Sequence, residues 1–201
     1  SLRVQSGNSA SFKSGGVTIS SGLGATESGR VHIASGAANA AASGQLSLTT
    51  GSAVESATGG INIQAGTAGG SSSVGGDLTI QAGASTTGSG GAVRILSGGS
   101  NGIATTSISG EVKIQSANAT TESGRIGIST GDASSGTSGG IKLNTGNSQG
   151  GSSGAISFQS GNAVSEVAGG VTFRAGDSDV ATGGNVRIIS GSSGAMTSGN
   201  V

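Results

Sequence analysis

Apolar residues recur along this chain in pairs two positions apart, and the pairs return about every fifteen residues. The unit is Gly-x-(Val/Ile/Leu)-x-(Ile/Leu/Phe). It opens at Gly15, Gly29, Gly44, Gly59, Gly76, Gly91, Gly110, Gly124, Gly139, Gly154, Gly169 and Gly184, and a partial copy opens at Gly199. The successive steps are 14, 15, 15, 17, 15, 19, 14, 15, 15, 15, 15 and 15 residues. Seven residues after each opening glycine stands a second one, from Gly22 to Gly191, with Ala117 as the single departure. Self-similarity at a fixed period of this size is the signature of a stacked repeat architecture. Between the two glycine columns the alternation has period two, which predicts a strand with one buried and one solvent face. Val17, Ile19 and Ser21 then face one way, Thr18 and Ser20 the other. Helix is disfavoured, because glycine recurs too often and costs about 1 kcal/mol per helical position.

The predicted fold is therefore all-β: a single parallel β-solenoid (β-helix) of about 13 coils with ~15 residues per coil, thin and flattened, running through residues 1–201 as one continuous domain. Twelve rungs at about 4.8 Å each would make a rod on the order of 58 Å long. Two residues past the second glycine the side chain is small throughout, as at Gly24, Ala38, Ala53, Ser85, Ser148 and Ser178. This predicts a small-residue wall facing an aliphatic one. The glycines at the two corners are expected to take positive φ, which only glycine adopts without steric cost. Phe158 and Phe173 share a column in consecutive repeats and are expected to be neighbours. Extra residues within 69–74 and 102–107 are expected to bulge from the small-residue side. Residues 1–7 and 199–201 fall inside a repeat, so the chain reads as a slice of a longer repeat protein.

Composition removes several classes of function. Of 201 residues 43 are Gly, 9% are charged, the net charge is +0, and Pro, Cys, Trp and Tyr are absent. Without Cys there is neither a disulfide framework nor a thiolate metal site. Neutral balance lacks the electrostatic footprint of a nucleic-acid binder. No apolar run approaches the roughly 20 residues that span a bilayer.

Candidate chemistry is sparse. His32 is the only histidine and lies at an outward position between Thr18 and Ser47 of neighbouring repeats. Asp77, Asp132, Asp177 and Asp179 do not recur in one column, unlike the acids of nine-residue calcium-binding repeats. Asp177 and Asp179 together are the nearest approach to a weak cation site, and a solvated turn is the default for them. Glu111 and Arg125 share a column in adjacent repeats, which predicts a surface ion pair worth at most about 1 kcal/mol. Arg94, Lys113, Lys142, Arg174 and Arg187 form a loose basic stripe with no aromatic residues interleaved. The outward column from Thr18 to Arg187 is irregular and charged, unfavourable for an ice-matching hydroxyl lattice. Asn118-Ala119-Thr120 is the one glycosylation acceptor pattern. The expectation is no catalytic residue, no cofactor and no metal ligand.

In repeat style the whole chain resembles the long Gly/Ser-rich β-solenoid regions of secreted and cell-surface fibrous proteins. The resemblance rests on the Gly-x-(Val/Ile/Leu)-x-(Ile/Leu/Phe) unit and implies an extracellular or cell-surface structural role. The residues lead to a compatible expectation: a structural or adhesive module of a filament, sheath or surface fibre, and not an enzyme. Its partners would be copies of itself or neighbouring repeats. A solenoid that recognises polysaccharide or an ice surface is the alternative. A polysaccharide-acting β-helix enzyme ranks behind both, because no acidic cluster or Arg/Lys dyad lies beside a groove.

Overall fold

The computed structural model describes residues 1–71, 73–100 and 107–200. The chain divides into two units, Ser1–Leu96 and Ser97–Val201. Both are built from one element, which follows the sequence period. A segment free of bends runs from each opening glycine past the second one; a loop then turns back toward the next opening glycine. The bends fall at residues 10–12, 39–41, 54–56, 70–71 and 86–88 in the first unit and at 134–136, 149–151, 164–166, 179–181 and 194–196 in the second. Where the loop is one residue shorter, the bend shrinks to two residues, at 25–26 and 120–121.

Five of the loops close at a neck, a backbone hydrogen bond between the opening glycine and the second glycine before it. In the first unit the Gly76 amide donates to the Gly66 carbonyl at 3.2 Å, and the Gly91 amide to the Gly83 carbonyl at 2.9 Å. In the second unit Gly110 donates to Gly98 at 2.8 Å, Gly184 to Gly176 at 2.9 Å and Gly199 to Gly191 at 3.0 Å. The insertions leave this closure intact, since the longer Gly66–Gly76 and Gly98–Gly110 loops still meet at their necks. Of the expected bulges, Ser72 and residues 101–106 lie outside the described residues.

The predicted all-β parallel solenoid is not what the chain forms. Among the described residues there is no strand and no helix. Rung stacking would join equivalent positions fifteen residues apart, such as Ile141 and Ile156, and no backbone hydrogen bond between described residues does so. The bonds that form instead tie the end of one segment to the start of the next. A ladder needs a bond pair at every second residue, whereas a neck supplies one. The energetics explain why the ladder is missing. Burying a large aliphatic side chain completely contributes about 1.5–3 kcal/mol, while ordering each residue costs about 1–2 kcal/mol of backbone entropy. Two half-exposed aliphatics per repeat fall far short of ordering fifteen residues into a sheet.

The glycines also work differently from the expectation. Among the described residues none, glycine or otherwise, has positive φ, so none of them is a left-handed corner. The opening glycines serve close approach. A Cβ placed on Gly15 would meet the Ser6 Cβ at 3.4 Å, one on Gly154 the Thr145 Cγ2 at 3.3 Å, and one on Gly184 the Ala175 Cβ at 3.3 Å. The second glycines face open space, with nothing within 4 Å of a Cβ on Gly22, Gly83, Gly161 or Gly176. Gly24 is a separate case: a Cβ there would fall 1.7 Å from the Glu27 carbonyl oxygen, so that short loop requires glycine.

Candidate functional site

Five serines in the column two positions past the second glycine act as turn caps. Ser9 Oγ accepts the Phe12 amide at 3.0 Å, Ser85 that of Gly88 at 2.9 Å, Ser148 that of Gly151 at 3.1 Å, Ser178 that of Ala181 at 3.0 Å and Ser193 that of Met196 at 2.9 Å. A serine hydroxyl accepting from the amide three residues on holds the chain in a turn. Serine one residue ahead of five of the bends carried that signal; the reading by size alone missed it.

The side chains most shielded from solvent stand immediately before the second glycine, or before Ala117 in its place. Ser6, Ala65, Ala82, Ser116, Ser160, Ala175 and Ser190 are half-buried, each against the next opening glycine. This is as much of an interior as the described residues have, since none is fully buried.

The aliphatic columns are the feature with functional weight. The first member of each pair is about half exposed, as in Ile126 at 47% and Ile141 at 53%; the second is more so, as in Ile128 at 72%. Loop side chains such as Val164 reach 103%. The difference shows that the columns are partly covered by the chain and partly offered to solvent, at every described repeat. Phe158 and Phe173 meet edge to face, ring centroids 5.8 Å apart and planes at 84°. Consecutive repeats therefore turn their columns to the same side at this point, as the shared column predicted.

The charged candidates fare unevenly. Arg174 donates through Nη2 to the Asp177 carboxylate, both side chains exposed. The expected Glu111–Arg125 pair is absent among the described residues. Arg174 thereby occupies the Asp177 carboxylate that the sequence had offered with Asp179 to a cation, and no group of three His, Cys, Asp or Glu gathers among the described residues. His32 is exposed. Arg94, Lys113, Lys142 and Arg187 are exposed at the positions between paired aliphatics. Among the described residues no helix is long and apolar enough to cross a membrane.

The arrangement of the described residues can shield and offer apolar surface. Compared with known proteins, the chain matches no family model, no curated protein and no solved structure.

Proposed function

We propose that this chain is a structural repeat module of an extracellular filament, sheath or surface fibre, and that it works by association rather than by chemistry. One observation carries the reading: at every described repeat a pair of large apolar side chains remains about half exposed or more. The chain exposes 19744 Å², against roughly 8,200 Å² expected for a compact monomer of its mass. The paired apolar side chains left uncovered along the repeats mark an interaction site. A net charge of +0 sets no long-range repulsion against packing copies or neighbouring repeats together.

The ice-surface alternative required a flat hydroxyl lattice on paired strands, and no strand forms among the described residues. The exposed basic side chains Arg94, Lys113, Lys142 and Arg187 favour polysaccharide contact as a second reading, tested by glycan pull-down. Antibody labelling of native material under the electron microscope should place the chain along fibrous or layered extracellular structures. A dispersed, monomeric protein in the surrounding medium would overturn the reading.

A further inference from the structure

We infer that the repeats of residues 110–190 form a self-association face, and that its occupant is the same segment of a second copy of this chain. The inference rests on the structural-module reading and specifies its partner and its place. The pitch of the second unit is the first argument. From Gly124 to Gly199 the opening glycines follow one another at five successive steps of 15, while no run in residues 1–96 exceeds two such steps. A row of side chains at constant spacing is matched best by a row at the same spacing, and an identical chain has it by construction.

Area is the second argument. Six repeats each present two side chains, from Val112 and Ile114 to Val186 and Ile188, roughly half to three-quarters exposed. Full burial of a large aliphatic removes about 60–120 Å², so the face offers on the order of 400–800 Å² per copy, approaching the ~800 Å² that one partner contributes to a standard interface. Near the middle of this run lie Phe158 and Phe173, already in contact and still 59% and 62% exposed. Aromatic side chains at the centre of a patch are the usual anchors of an interface. The paired column positions themselves carry no charge, so identical faces meet without like charges opposed in the columns.

The test uses the full 201-residue chain in sedimentation velocity across a wide concentration range. The wild type should gain mass with concentration. Ile141→Asp with Ile156→Asp should weaken association at least tenfold. Ile61→Asp with Ile63→Asp, in the first unit, and Thr172→Asp, at an intervening polar position, should leave it unchanged. Ile156→Val should retain it. Protection of the Gly184 amide from hydrogen exchange, unchanged in the Asp variants, shows that the necks survive. A chain carrying two extra residues after Gly150 should pair poorly with tagged wild type, because the pitch no longer matches.

A wild type that stays monomeric overturns this inference while leaving the fibre reading to the native material. Equal losses from the two Asp pairs overturn the assignment to residues 110–190, and undiminished pairing of the insertion variant with wild type overturns the pitch argument.

Discussion

The rings of Phe158 and Phe173, fifteen residues apart, meet edge to face with centroids 5.8 Å apart and planes at 84°. The contact fixes the relative placement of two successive repeats where their backbones share no hydrogen bond. Edge-to-face pairs contribute about 0.5–1.5 kcal/mol beyond area burial, and more than half exposure places this one at the lower end. Replacing Phe173 with Leu should remove the ring-current shift from the Phe158 protons in the NMR spectrum. A double-mutant cycle with Phe158→Leu should return a coupling of about 0.5 kcal/mol.

The serine caps make a local prediction. Ser85→Ala, Ser148→Ala and Ser178→Ala each remove the acceptor of one amide hydrogen bond. Loss of a comparable cap at a helix start costs about 0.5–2 kcal/mol, and in these exposed turns the smaller figure applies. Hydrogen exchange should speed up at the Gly88, Gly151 and Ala181 amides respectively, with neighbouring loops unaffected. Thr at the same positions keeps the acceptor and should keep the protection.

The two glycine columns should respond oppositely to a methyl group. Gly176→Ala adds a Cβ into open space, whereas Gly184→Ala brings one to 3.3 Å from the Ala175 Cβ and 3.4 Å from the Gly176 nitrogen. Exchange of the amide at position 184 should rise in the second variant and stay level in the first. Gly24→Ala should be the most disruptive of the three, because a Cβ at 1.7 Å from the Glu27 carbonyl oxygen forces the loop open. Chemical shifts over residues 22–29 report that directly.

The repeat was legible in the sequence down to single positions. The period placed the bends, the paired aliphatics share one level of exposure at each column position, and the Phe158–Phe173 contact follows from their shared column. What lies beside each segment was not legible. Alternation at Val17-Thr18-Ile19 says which side chains share a face, but no residue in it specifies the neighbouring backbone, so a ladder and a neck are equally compatible with it. The roles of the glycines were misassigned for a similar reason. Gly15 and Gly22 look alike as letters, yet one is pressed against a side chain and the other faces open space. The candidate site was legible as two columns, and its exposure was not, because burial was inferred from a sheet that does not form.

The ion pair between Arg174 and Asp177 should matter little. Both side chains are mostly in solvent, at 76% and 81% exposure, where such pairs contribute about 0–1 kcal/mol. Asp177→Asn should leave the exchange of the Gly184 amide within about twofold of the wild type, and raising salt to 1 M should reproduce that small effect in the unsubstituted chain, since screening is then nearly complete beyond about 3 Å.

Residue-resolved hydrogen exchange of the full chain, at a concentration where it is monomeric, tests the loop-and-neck fold most directly. Protection should be confined to the neck amides of Gly76, Gly91, Gly110, Gly184 and Gly199 and to the serine-capped turns, with the amides of Val17 to Ile19 and of Ile141 to Leu143 exchanging freely. Continuous protection through every Gly-x-(Val/Ile/Leu)-x-(Ile/Leu/Phe) segment would contradict it.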